Sequence, residues 1–203
     1  MKVTILQTDI KWADPDANEK ALESVLLSSE KSDLYVLPEM WNTGFLAGEQ
    51  CSMFNVQCSI NFLRSLAQKF DAAIAGSMDV EEDGKRYNRF YFVTPTDVYT
   101  YDKRHLFSYA GEDKNFTAGK ERTIVGWRGV KFLLQVCYDL RFPCFSRNKK
   151  LSHFTFLRCH HLCCQLASQP PQGMGCAVTS SRLGKPMLRD WSQQGRRRPR
   201  LPL

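Results

Sequence analysis

No apolar run in this sequence exceeds a few residues, so none is long enough to cross the roughly 30 Å hydrocarbon core of a bilayer. The opening stretch MKVTILQTDIKWADPD lacks the extended apolar core and small-residue cleavage site of a secretory signal. It reads instead as a strand followed by acidic turn residues. A cytoplasmic, reducing compartment is the resulting expectation, and the eight cysteines are then expected as thiols rather than a disulfide framework. There is no internal repeat. Acid is almost absent from one region: residues 151–203 contain eight basic residues (Arg158, Arg182, Lys185, Arg189, Arg196, Arg197, Arg198 and Arg200) but a single acid, Asp190. The first 150 residues balance 20 basic against 20 acidic side chains, so the whole net charge of +7 sits in the tail. That distribution argues against a nucleic-acid-binding domain spread over the chain.

What is present is enough apolar material, 43% of 203 residues, for one sizeable core and one domain. KVTILQTDI alternates and carries β-branched residues, predicting a strand. A helix follows, with Asp16 or Asn18 as its cap and Leu22, Val25, Leu26 and Ser29 on one face. DLYVL is a short apolar strand ending at Pro38-Glu39, and SINFLRSLAQKFDA reads as a second amphipathic helix. AAIAGSMDV, YNRFYFVTP and Val98–Tyr101 are further strands, the first two joined by the turn EEDGKR. RTIVGWRGVKFLLQV holds two more around a glycine turn, and the second delivers Cys137. Helices alternating with strands, together with hairpin-like pairs, predict α/β layers with a mixed sheet. After SRNKK no sustained period of 2 or 3.6 remains. The tail contains four of the eight cysteines and is expected to be poorly ordered.

Three polar residues each stand just after a predicted strand: Glu39 after DLYVL, Lys103 after VYTYD and Cys137 after FLLQV. Side chains at neighbouring strand ends converge although they are distant in sequence. Their chemistry is coherent. A thiol attacks an acyl carbon as thiolate and needs a base. A carboxylate takes the thiol proton and returns it to the leaving amine. An ammonium, with the backbone N–H that follows the nucleophile (here that of Tyr138), holds an oxyanion. Each residue taken alone has an ordinary reading as well: a buried thiol, a solvated surface carboxylate, and an exposed turn DKRH.

The stretches DLYVLPEMWNTGF, YDKRHLFSYAGEDKNFTAG and LQVCYDLRFPCFSRN, with QTDIKWADPDANEKAL and YNRFYFV, resemble the nitrilase or carbon–nitrogen hydrolase superfamily, most closely its omega-amidase branch. The resemblance covers residues 1–148. It implies a nitrilase-type four-layer αββα sandwich, of which this chain holds the N-terminal half only. It further implies Glu39 as general base, Lys103 as oxyanion and amine-positioning donor, Cys137 as nucleophile, Glu112 in GEDKNFTAG as partner of Lys103, and the Tyr138 N–H as second oxyanion donor. The implied reaction is hydrolysis of a small linear amide such as 2-oxoglutaramate, through a thioester and with release of ammonia. No metal or cofactor is implied, nor any nucleic-acid or membrane partner, and full-length relatives are expected to be homo-oligomers.

Residues 149–203 are a non-family tail, and the resemblance stops within a motif. Codons chosen for the tail and read one base later from His160 permit TIYVANWP, ARALENQCYV and GVNRVG, which resemble the missing family segment. Three letters of that reading are forced: Met174-Gly175 gives Trp, Met187-Leu188 gives Cys and Trp191-Ser192 gives Gly. The expectation is a frameshift between about Lys149 and Arg158. RRRPR then becomes an accident of frame rather than a nucleic-acid patch, and HHLCC an accident rather than a zinc site. Without the second half, apolar faces of the N-terminal strands are expected to stay uncovered. Two other readings remain: a thiol hydrolase pairing Cys137 with His105, and a non-enzymatic protein binding nucleic acid through its basic tail.

Overall fold

A computed structural model describes residues 1–46 and 55–146, together with the backbone of short strands at 150–151, 155–156, 159–164 and 178–179. Two sheets form its frame. The first contains β1 (Val3–Ile5), β2 (Leu34–Val36), β3 (Ala73–Glu82), β4 (Lys85–Val93) and β5 (Val98–Asp102), in that spatial order. The β1–β2 and β2–β3 pairs are parallel, whereas β3–β4 and β4–β5 are antiparallel, which makes the sheet mixed as expected. Its two helices, α1 (Pro15–Ser28) and α2 (Val56–Phe70), supply the crossovers that parallel pairing requires.

The first crossover helix is capped by Asp14, not by Asp16 or Asn18. The Asp14 side chain accepts the Ala17 N–H at 2.9 Å, and Pro15 occupies the first helical position, where no N–H is needed. Asn18 has another task. Its side chain accepts the Lys11 N–H and donates to the Lys11 and Asn42 carbonyls, tying the helix to the loop after β2. The second helix ends at Asp71, whose left-handed backbone (φ 48°) directs the chain into β3. Asp83 and Gly84, both at positive φ, make the tight β3–β4 hairpin turn.

The second sheet is ordered β11 (Val178–Thr179), β10 (Cys159–Cys164), β7 (Val130–Val136), β6 (Ile124–Trp127), with β6 and β7 antiparallel. Further on, β8 (Lys150–Leu151) pairs with β9 (Thr155–Phe156). The backbone of β10 lies parallel to β7, and β11 pairs with β10. The remainder of the tail, including Arg196–Arg200, and the side chains of His160–Cys164 lie outside the described residues.

Helices, first sheet and second sheet stack as three layers. One core lies between the helices and the first sheet, with Leu22, Leu26, Leu63 and Leu66 against Tyr35, Ile74 and Met78. The other lies between the sheets, where Val36, Ala75, Phe90 and Phe92 meet Val125, Phe132, Leu134 and Val136. Both faces of the central strands β2, β3 and β4 are therefore buried, contrary to the expectation of bare N-terminal strands, while Ile5 in β1 and Tyr99 in β5 stay exposed. The strands β6 and β7, encoded before the tail begins, supply side chains to the inner core, and the backbone of β10 also lies against β3. This also explains why β2 and the first eight residues of β3 are buried without alternation: strands covered on both faces hide every side chain.

Candidate active site

Three strands deliver the site. Glu39 follows β2 by three residues, Lys103 follows β5 directly and Cys137 follows β7 directly. The approach of Glu39 depends on Gly76 in β3. A Cβ there would lie 2.8 Å from Leu37 Cβ and 3.0 Å from Trp41 Cδ1. Hydrogen bonds then fix the loop to β3: the Leu37 N–H donates to the Ala75 carbonyl, the Met40 N–H to Ser77 Oγ and the Trp41 N–H to the Ser77 carbonyl. Lys103 is held from both sides, its N–H donating to the Asn88 carbonyl and its carbonyl accepting the Gly119 N–H, each at 2.9 Å.

Lys103 is 1% exposed and not the solvated turn lysine that DKRH suggests on its own. Its Nζ donates to Glu39 Oε1 at 2.9 Å and to Glu112 Oε1 and Oε2 at 2.9 and 2.8 Å. Glu39 is also 1% exposed, and Glu112 is buried with the Phe107 N–H on its Oε2 at 2.6 Å. Burial works against the Lys103 charge, but Glu39, Glu112 and then Cys137 outweigh it, so the ammonium is held well above its ordinary range. A buried lysine beside two carboxylates stays charged.

Cys137 is half-buried and takes a left-handed backbone (φ 44°), a conformation strained for any residue with a Cβ. It starts a single helical turn, Cys137–Arg141, so the Tyr138 N–H lies in the first turn, where no intrahelical acceptor is available. Burial pushes the Cys137 thiol up to about 12. The Glu39 charge and a hydrogen bond to Glu39 add to this, and Lys103 opposes it. The site therefore holds two carboxylates, one ammonium and a neutral thiol.

Two residues that the sequence reading did not single out complete the arrangement. Asn88 in β4 is fully buried, and its Nδ2 donates to Glu39 Oε1 at 2.8 Å and to Glu112 Oε1 at 3.1 Å. Asp139, also fully buried, accepts from the Val136 N–H, the His105 N–H and the Tyr101 hydroxyl, and pairs with His105 Nδ1 at 2.7 Å. It thus clasps the turn bearing Cys137 to the segment bearing Lys103. His105 is committed there, stacked flat on Phe142 at 3.7 Å between ring centroids, and the charged groups acting on the thiol are Glu39, Lys103 and Glu112. The sequence did carry a signal for each: a lone amide inside the aromatic strand YNRFYFV, and an acid two residues after the cysteine. Among the described residues no cluster of metal-ligating side chains is found.

The family model for carbon–nitrogen hydrolases matches residues 2–160. The chain belongs to the carbon–nitrogen hydrolase family. Within it, the omega-amidase branch supplies similar sequences. Omega-amidase YafV of Yersinia enterocolitica is 42% identical over 151 residues, which cover 74% of this chain and 59% of that protein. The 2-oxoglutaramate amidase of Bacillus subtilis (strain 168) is 34% identical, with 70% and 58% covered. Among solved structures, XC1258 from Xanthomonas campestris, described as a CN-hydrolase superfamily protein with an arsenic adduct in the active site, superposes with a TM-score of 0.68 at 35% identity, covering 73% of this chain and 57% of that one. The matched part of this carbon–nitrogen hydrolase thus spans less than three fifths of the length of these relatives. The nitrilase-type α/β fold expected from the sequence is the fold observed.

Proposed function

We propose that this carbon–nitrogen hydrolase cleaves the C–N bond of a small linear amide, with Cys137 as nucleophile, Glu39 as general base, Lys103 and the Tyr138 N–H as oxyanion donors, and Glu112 as the fixed partner of Lys103. The observation that carries the reading is Lys103 Nζ lying between Glu39 and Glu112 at 2.9 and 2.8 Å in a buried site whose charges also act on Cys137.

With its thiol pushed up to about 12, Cys137 rests protonated at neutral pH. Attack is therefore coupled to proton transfer: the S–H proton moves to Glu39 as the S–C bond forms. The negative charge shifts to the carbonyl oxygen, where the Lys103 ammonium and the Tyr138 N–H stabilise it. Collapse breaks the C–N bond as Glu39 passes its proton to the nitrogen, which leaves as ammonia. Water, deprotonated by Glu39, then attacks the thioester. The acid is released and the thiol regains its proton. Burial, with Glu39 beside it, holds the thiol neutral until substrate arrives. The omega-amidase and 2-oxoglutaramate amidase relatives support a terminal amide of a 2-oxo-dicarboxylate as substrate.

We infer further that the chain is read out of frame downstream of a point between about Lys149 and Arg158. The three forced letters at Met174, Met187 and Trp191 support this, as does a family match that ends at residue 160. Sequencing the DNA across Asn148 to Arg158 tests it, and absence of a better-fitting frame there refutes it. In the repaired chain, ammonia is released from 2-oxoglutaramate and Cys137→Ala abolishes that release without unfolding the protein. Undiminished release by that variant refutes the assigned nucleophile.

A further inference from the structure

Asn88 makes an unusual set of contacts for a strand residue. Its amide nitrogen has two protons, and the two hydrogen bonds go to Oε1 of Glu39 and Oε1 of Glu112. The orientation of the amide is decided by this pairing, because the reverse orientation would set its oxygen against carboxylate oxygens, acceptors against acceptor. The consequence is visible on the other side of the group. Asn88 Oδ1 is buried and has no hydrogen-bond partner among the described residues. A buried acceptor without a partner is destabilising, and such groups are rare in folded proteins. The fold accepts that penalty in a strand whose buried neighbours Phe90 and Phe92 are apolar, and where an apolar residue would avoid it.

The geometry at the carboxylates shows what the amide does. Lys103 Nζ and Asn88 Nδ2 converge on the same oxygen of Glu39, at 2.9 and 2.8 Å. Two donors on one oxygen fix the rotation of the carboxyl group about its stem and leave Oε2 as the oxygen that neither donor engages. The same pair of donors meets on Oε1 of Glu112. Glu112 is already held through both oxygens by Lys103 and by the Phe107 N–H, but the ammonium meets Glu39 through one oxygen only, which defines a distance and no rotation; the second, planar donor in β4 supplies the missing constraint.

We propose that Asn88 is a positioning residue for Glu39: by donating to Oε1 of both buried carboxylates, it fixes the Glu39 carboxyl with Oε2 free to exchange the proton of Cys137. This rests on the reading of Glu39 as base and Cys137 as nucleophile. Asn88 does not touch the reacting atoms; it acts through Glu39.

Asn88→Leu keeps the same branched heavy-atom skeleton, deletes the donor and removes the orphaned oxygen. The experiment combines two measurements on the chain with its reading frame repaired, which is the wild type in both. Urea unfolding of Asn88→Leu, Glu39→Gln, Glu112→Gln and the two double variants closes a thermodynamic cycle for each carboxylate. Ammonia release from 2-oxoglutaramate gives kcat and KM for the wild-type and Asn88→Leu chains. The expected result is non-additivity of about tenfold in the unfolding equilibrium in both cycles, with kcat lowered about tenfold or more and KM nearly unchanged, the size expected for a hydrogen bond to a charged group. Additive cycles overturn the proposal, as does an unchanged kcat. Non-additive cycles in a wild-type chain that releases no ammonia refute the amidase reading and, with it, the positioning role. If Asn88→Leu does not fold, Asn88→Ala is put through the same cycles. Failure of both to fold assigns Asn88 to the framework and overturns the proposal.

Discussion

Lys103 Nζ lies 2.9 Å from Glu39 Oε1, and each side chain is 1% exposed. A pair this deeply buried is expensive to break by halves, because the surviving partner keeps its charge and loses its neutralisation. Lys103→Ala leaves Glu39 and Glu112 facing each other with only Asn88 between them. The expected loss is about 3–5 kcal/mol of folding free energy, read from urea unfolding. A loss within error of a surface lysine substitution such as Lys20→Ala would mean that the site is open to water.

Cys137 has a distinct pH signature. Its thiol is raised from an ordinary 9.0 to about 12, chiefly by burial and then by Glu39. Between those values the folded chain retains a proton that the unfolded chain has lost. The thiol's contribution is fully present below pH 9.0 and is lost as the pH rises towards about 12. Unfolding measurements on wild type and Cys137→Ala across that window should therefore diverge, with wild type losing stability faster. Parallel curves would show that the thiol is not shielded in this way.

Gly119 is held against the strand end that bears Lys103. A Cβ at this position would fall 2.1 Å from the Asp102 carbonyl oxygen, and the Gly119 N–H donates to the Lys103 carbonyl. No side-chain rotation relieves a clash with backbone. Gly119→Ala is expected to lower stability by about 1–3 kcal/mol and to displace Lys103. Thermal unfolding checks the first, and a fall in kcat in the repaired chain checks the second. Gly84→Ala, in an open turn with nothing within 4 Å, is the control for a glycine whose role is backbone freedom alone.

Asp139 gathers four donors from two separate segments. Asp139→Ala leaves the Val136 and His105 N–H groups and the Tyr101 hydroxyl without their acceptor and releases the turn that holds Cys137 at positive φ. The expected effect is about 2–4 kcal/mol of destabilisation, read by urea unfolding, and Asp139→Asn should recover part of it by keeping an acceptor in place. Equal losses in both variants would show that charge, rather than hydrogen-bond acceptance, is what the clasp requires.

Much of the frame was legible in order along the chain. Strand and helix segments followed from period and β-branching, and the three strand-end residues followed from their position at the close of apolar runs. The helix cap was misplaced because Asp14, Asp16 and Asn18 are all competent caps locally. Only the carbonyls of Lys11 and Asn42, brought together by the fold, claim Asn18 for another purpose. Asn88 and Asp139 escaped notice for a related reason. An asparagine in a strand and an aspartate in a turn are ordinary residues until their partners, 49 and 34 to 38 positions away, are in place.

By itself, the sequence determined which residues are chemically able to act: a thiol, an ammonium and a carboxylate, each set just after a strand by local backbone preference. The tertiary structure decided that they meet. It brought Glu39, Lys103 and Glu112 within hydrogen-bond distance in a water-poor pocket, made a turn lysine into a buried cation and raised a thiol to about 12. The physical reason is that burial and Coulomb interaction depend on distances through space, which pairing of strands from two sheets creates and which separation along the chain does not encode.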